Sequence, residues 1–368
     1  MRKILPILLL IPVLTVCFSG FFCADVWTDT EREIGEESGL EDLKKNLPEG
    51  AGNLADGTES VTQLAPVLRT VEQAVLSALS GVSGLLYPIL ALAILLFVLN
   101  RLVPSRGRTG IQAAVGYASV SAVAAICGGS VFSSAGALAE KTESIGSFAS
   151  SAASVMASAV AAAGYPTSAS GAYAVFCSEV QVFSYAVSAL VLPCAGIHLA
   201  LGVAAGVTGN RTLQRVSGTI QNVAIGLLVF VSCLFAGVLS LRIASSGASD
   251  TVFRRAAQLS VSSYIPYVGP TVSAGLDTVY ACARSVCRNA GVLAAGSLFL
   301  SVSAPLAELA VRLLVFRAGE LLFDLSGNET VRSFFAVSLS AVRIVFAAAV
   351  AYAFLLFSSL GMLMGIGT

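Results

Sequence analysis

The fold that this sequence predicts is all-α: a polytopic membrane helical bundle of about six spans, arranged as three hairpins. Three observations predict it. The chain is 56% hydrophobic and only 11% charged, where a soluble domain carries about 25% charged residues. Apolar runs with almost no charge recur from Leu85 to the C-terminus, and each is long enough for a helix to cross a bilayer. Short polar turns bearing Gly and Asn separate several of these runs, so consecutive helices fold back on one another.

In chain order, residues 1–20 read as a signal peptide, with Arg2 and Lys3 ahead of an apolar core from Ile4 to Val16. That core is too short for a comfortable span, and the residues after it are expected outside the cytoplasm. Residues 21–65 form a polar, acidic extracytoplasmic arm. Of the 21 acidic residues in the chain, 11 lie between Asp25 and Glu59, against three basic ones. Such a composition favours a solvated segment. From Pro66, Leu68, Val71, Val75, Leu79 and Val82 recur at spacings of three and four. This is one face of an amphipathic helix over 66–84, with Pro66 suited to its first turn.

The membrane domain, 85–368, is expected to hold spans at about 85–101, 111–138, 182–207, 219–241, 289–315 and 334–363. Each hairpin opens with a proline-containing helix (Pro88, Pro193, Pro305) and turns through "PSRGRTG", "TGNRTLQ" or "SGNETVR". The last two turns share a GNxT core, which reads either as a weak internal repeat or as ordinary turn chemistry. Arg101, Arg106, Arg108, Arg211, Arg215, Arg317 and Arg332 flank the three turns and assign them to the cytoplasm by the positive-inside rule. Against this, Arg242, Arg254, Arg255, Arg284 and Arg288 all fall in the connection between the fourth and fifth spans, expected outside. The other outer connection, Glu140 to Ser178, is rich in Ala, Ser and Gly, and Ser147–Ala163 could pack as a helix on its neighbours. Small residues also crowd the spans, which lets helix backbones approach closely and points to a tight bundle or a homo-oligomer.

No metal or cofactor motif emerges. The eight cysteines have neither redox nor zinc spacing, and they read as small buried hydrophobes. His198, the single histidine, lies in an apolar helix and reads as packed. The chain has no GxxxxGK[ST] phosphate loop and no HExxH motif. No catalytic residue is assigned, and nothing in the pattern points to nucleic acid.

The stretch "FRRAAQLSVSSYIPYVGPTVSAGLDTVYACARSVCRNAGVLAAGSLFL", Phe253–Leu300, resembles the stage III sporulation protein AE family of endospore-forming bacteria. Ile265, Pro266, Val268 and Gly269 carry its IPxVG core, Asp277, Thr278 and Val279 its DTV triplet, and "NAG" leads into a span. The span pattern and the C-terminal hairpin agree. Pro270, directly after the core glycine, departs from the pattern and puts the local turn in question, and the Ala/Ser-rich connection is more degenerate than the family's. The resemblance implies a multi-pass protein of the mother-cell membrane around the forespore. It also implies partners among the other stage III A operon membrane proteins and, through the assembly, a forespore membrane partner. The assembly would be channel-like or secretion-like, with ATP hydrolysis on a separate protein.

Read physically, Pro266 and Pro270 each remove an amide donor, and Gly269 permits a sharp reversal. A broken amphipathic or re-entrant segment is therefore expected between spans four and five, with Ala274–Cys287 as its second arm. Asp277, Tyr280, Arg284 and Arg288 fall at spacings of three and four and would share one polar face. That face either lines a cavity, where irregular backbone at membrane depth is tolerated, or belongs to a surface-lying hairpin. Glu308 and Arg312, four apart in span five, are expected to form an ion pair. Arg343, in span six, is expected to face the protein interior. Three functions compete: a non-enzymatic component of the sporulation assembly, a self-contained secondary transporter, and, least supported by motifs, an intramembrane enzyme.

Overall fold

The computed structural model describes residues 109–366 except 209, 265–268 and 326–328, together with scattered residues between 76 and 98. The expected signal peptide and acidic arm, the turn of the expected first hairpin (99–108) and Pro266 lie outside the described residues.

Among the described residues from Thr109 onward, six α-helices follow one another: α1 (Thr109–Ala162), α2 (Pro166–Ala186), α3 (Leu192–Thr208), α4 (Arg211–Tyr264), α5 (Gly269–Leu325) and α6 (Glu329–Met364). Among the described residues, five helical segments are long and apolar enough to cross a membrane: Ser121–Ala162, Pro166–Gly206, Thr212–Arg242, Thr278–Asp324 and Val331–Met364. They correspond in order to the second through sixth expected spans. The first, 85–101, falls where only scattered residues are described. The α3–α4 and α5–α6 boundaries lie in the "TGNRTLQ" and "SGNETVR" turns, where Asn210 Oδ1 accepts a 2.9 Å hydrogen bond from the Thr212 amide.

These helices are longer than the spans they contain. At 1.5 Å per residue, α1 and α4, with 54 residues each, are roughly 80 Å long, against a hydrocarbon core of about 30 Å. The Ala/Ser-rich connection is helical. It completes α1 and begins α2, with Ala149, Ala152, Ala153, Met156 and Ala159 fully buried. Side chains this small carry little hydropathy of their own but allow close helix packing.

Local chemistry sets the boundaries between α1, α2 and α3. Gly164, at φ 91°, closes α1: its amide bonds Ala161 O at 3.0 Å, and the Tyr165 amide bonds Val160 O at 3.2 Å. This six-to-one and five-to-two pair needs a left-handed residue, which glycine supplies. Pro166 then opens α2, where its missing amide costs nothing. Between α2 and α3 the helix widens into a π-turn, Val187–Val191. Pro193 lies just beyond it, and the wider turn accommodates a ring that would crowd the preceding carbonyls.

Helix α6 is the centre of the bundle and α4 its periphery: 61% of the most apolar window of α6 is buried, against 22% for α4. Exposed Val223, Leu227, Phe230, Leu234, Val238 and Leu241 form an apolar stripe along α4 at spacings of three and four, suited to hydrocarbon. Tyr264 ends α4 and Gly269 begins α5; residues 265–268, where the break is expected, lie outside the described residues. The anticipated second arm, Ala274–Cys287, is no separate helix. It is the first part of α5, continuous with span five.

Candidate functional site

The charged residues of span five meet α1. Glu308 Oε1 pairs with Arg312 Nη2 at 2.6 Å, one helical turn apart, and Glu308 Oε2 pairs with Lys141 Nζ of α1 at 3.2 Å. Arg312 also donates to Ser130 O at 3.0 Å and to the Ser134 hydroxyl. The pairing of Glu308 with Arg312 is therefore present and is one edge of a larger cluster. One carboxylate is shared by two cations, and α1 supplies oxygens for the rest of the guanidinium. A half-buried charge held this way keeps its hydrogen bonds and spares the bundle an unpaired ion.

The residues around the IPxVG core are less gathered. Pro266 and the side-chain surroundings of Gly269 and Asp277 lie outside the described residues. Gly269 is the first residue of α5, and Asp277 lies eight residues further along the same helix. Tyr280 and Arg284 are both half-buried on α5, one turn apart, while Arg288 is exposed. Arg343 is also exposed, contrary to expectation. It stands on the outer side of α6 within electrostatic reach of Arg317 and Glu320, which pair with each other. A long side chain can carry its charge away from the packed seam, so Arg343 needs no interior partner.

Two polar clusters escaped the sequence reading. His198 of α3 is buried: its Nδ1 lies 2.8 Å from Ser217 O and 2.9 Å from Ser217 Oγ on α4, and its Nε2 lies 2.6 Å from Ser340 Oγ on α6. One imidazole thus joins three helices, in keeping with a packing role. Glu179 of α2, only 2% exposed, lies 2.6 Å from Ser359 Oγ on α6. Nearby on α6, the Tyr352 hydroxyl donates to Thr142 O of α1 at 3.0 Å, and its ring stacks on Phe183 at 5.2 Å. A cavity of about 490 Å³ opens between α1 and α2 beside this cluster, with Thr142, Ser147, Gln181 and Ser184 among its lining. Among the described residues, no group of His, Cys, Asp and Glu is placed to hold a metal ion.

A family model described as Stage III sporulation protein AE matches residues 49–367. The chain belongs to the stage III sporulation protein AE family. The match to the family spans all five described crossing segments and every residue of the clusters described above. Among individual proteins, the chain is similar to Stage III sporulation protein AE of Bacillus subtilis (strain 168), 24% identical over 179 residues, which is 48% of this chain and 45% of that one. The aligned part thus spans about half the length of that family member. No solved structure matches.

Of the residues that sequence reasoning missed, Lys141 is 167 positions from Glu308 and Glu179 is 180 from Ser359. No local spacing connects either pair. The available signal was an isolated acid, Glu179, at the head of an apolar segment.

Proposed function

We propose that the chain is a non-enzymatic integral membrane component of the channel-like or secretion-like complex that joins mother cell and forespore during endospore formation. The family match over residues 49–367 carries this reading. The architecture is in keeping with it: helices roughly 80 Å long give the bundle a rigid extension beyond the bilayer, fit to meet partner proteins. In this reading the chain sits in the mother-cell membrane around the forespore, beside the other membrane proteins of the stage III A operon.

The second reading is a self-contained secondary transporter. The π-turn before Pro193 and the buried Glu179 favour it, since transporters build sites from distorted helices and intramembrane acids. Tagged full-length protein recovered from membranes of sporulating cells separates the two. Co-purification of the other operon membrane proteins, with no solute uptake by liposomes holding this chain alone, is the expected result. Uptake by those liposomes, without co-purifying partners, would favour the transporter.

A further inference from the structure

Glu179 is a carboxyl for which the described surroundings provide no countercharge. Its Oε2 lies 2.6 Å from Ser359 Oγ, while its Oε1 is buried without a hydrogen-bond partner. The same Ser359 Oγ lies 2.7 Å from Leu355 O, one turn back on α6. A serine hydroxyl has one hydrogen, so it can donate to only one of these two oxygens. If Glu179 were ionised, Ser359 would donate to it, leave Leu355 O to its helical bond alone, and be the carboxylate's one partner. If Glu179 is protonated, its Oε2–H donates to Ser359 Oγ, and Ser359 donates onward to Leu355 O. Both short contacts are then hydrogen bonds, and no buried charge remains.

We propose that Glu179 is a proton-binding site, with the proton held on Oε2 between α2 and α6 at neutral pH. The groups facing it from neighbouring helices agree. From α6 the titratable neighbour is Tyr352, a neutral phenol within electrostatic reach. On α1, Lys141 is engaged by Glu308, and Glu140 and Glu143 are exposed. On α4, Arg242 packs against Gly171, about two helical turns from Glu179. On α2 itself the nearest titratable groups are the thiol of Cys177 and the phenols of Tyr173 and Tyr185, none of which can supply a positive charge. Burying an isolated carboxylate costs far more than burying a hydrogen-bonded acid, and a protonated acid is the form this arrangement satisfies.

The α1–α2 cavity lies alongside, lined by Val180, the residue after Glu179. Thr142, Gly146 and Val180 line the α1–α2 cavity. A side chain at Gly146 would meet the Tyr352 hydroxyl, at 2.8 Å from its Cβ. Glycine at 146 thus leaves room for the Val180 side chain and the Tyr352 hydroxyl to come close to its Cα at the cavity wall. This assignment stands whether the chain acts in an assembly or alone.

Infrared spectroscopy of the full-length protein in lipid nanodiscs tests it. At neutral pH the wild type should show a carboxylic-acid C=O band that is lost in Glu179→Gln, a variant that retains a polar contact with Ser359. A wild-type-minus-variant spectrum with a carboxylate band and no acid band would overturn the proposal. Ser359→Ala keeps the test decisive if Glu179→Gln does not accumulate. Removing the acceptor should shift the acid band to higher frequency, and a spectrum identical to wild type would again overturn it.

Discussion

Asp250, on α4, accepts a 2.7 Å hydrogen bond from the backbone amide of Ser168 in the first turn of α2. Its second oxygen takes the Thr167 amide at 3.0 Å. Helix α2 lacks a side-chain cap of its own, because Tyr165 stands at that position and Pro166 follows. A carboxylate borrowed from another helix satisfies two free amides and the positive end of the helix dipole. The contact fixes α2 to α4 where both extend past the turn at Gly164.

Replacing Asp250 with Ala should cost about 1–3 kcal/mol, the range for a lost cap whose buried amides go unpaired. The loss should appear as a lower thermal midpoint of the purified protein. The same residue predicts an acid response. Burial alone would raise this carboxyl, but hydrogen bonds from Ser168 and Thr167 outweigh it and hold it below its ordinary range. A carboxyl lowered by folding contributes its full stability above the unfolded value, about pH 4. That contribution is lost as pH falls through the lower, folded value. The midpoint of the wild type should therefore fall more steeply below about pH 4 than that of Asp250→Ala.

The cluster at Glu308 predicts an asymmetry. Glu308→Gln leaves Lys141 and Arg312 facing each other without their shared anion, whereas Lys141→Gln leaves the Glu308–Arg312 pair intact. Glu308→Gln should cost roughly 1–3 kcal/mol, less than the 3–5 kcal/mol for breaking a fully buried pair, because the Glu308 side chain is 29% exposed. Lys141→Gln should cost under about 1 kcal/mol. Adding Arg312→Gln to Glu308→Gln should recover part of the loss. Membrane abundance and thermal midpoints of the three variants measure this, and single variants of normal abundance but lost function would point instead to a transport path.

Packing at Gly202 predicts a size-specific effect. A Cβ built there runs into the side chain of Val337, so α3 and α6 meet backbone to side chain. Gly202→Ala should destabilise the bundle by about 1–3 kcal/mol, as overpacking does. Val337→Ala should restore much of it in the double variant. Failure of the second change to relieve the first would mean that α3 and α6 do not meet at this position.

The turns were legible in the sequence because turn chemistry is local: Gly209, Asn210 and Gly327 announce a reversal whatever surrounds them. Helix lengths were not. Hydropathy marks the part of a helix that suits lipid, and the Ala/Ser-rich continuation of α1 is held by burial against neighbours far away in sequence. The same reason separates the clusters. The pairing of Glu308 with Arg312 is one turn long and readable, but Lys141, Glu179 and Tyr352 acquire their partners only when α1, α2, α5 and α6 come together. Arg343 shows the converse error, since a charge in an apolar helix does not reveal which side of the helix carries it.

Orientation is open to a direct measurement. With the three polar turns in the cytoplasm, cysteines at Ser105, Thr212 and Glu329 should be shielded from an impermeant thiol reagent in intact cells. Cysteines at Glu49 and Ser144 should be labelled, all in a background lacking the native thiols. Ser144 is exposed on α1 beyond the expected second span, so it reports on the extended part of that helix. Labelling of the turns without lysis would invert the bundle.

The last prediction concerns Asp277 and its helix. Helix α5 runs from Gly269 to Leu325, with Pro305 inside it, and the spacing of Asp277, Tyr280 and Arg284 along it is that of one helical face. A change of charge at Asp277 should therefore leave the fold in place and act on whatever that face meets. Asp277→Asn, nearly equal in size, should lower sporulation efficiency while the protein accumulates normally, and Asp277→Leu should lower it further by removing the polar group altogether. Gly269→Val should lower function at normal abundance, because a β-branched side chain, stiff at χ1, crowds the first turn of α5. Spore counts and immunoblots from the same cultures separate the outcomes. Normal sporulation in both Asp277 variants would reduce this face to a structural part of the α4–α5 hairpin, and loss of the protein in Asp277→Asn would make it a packing contact of α5.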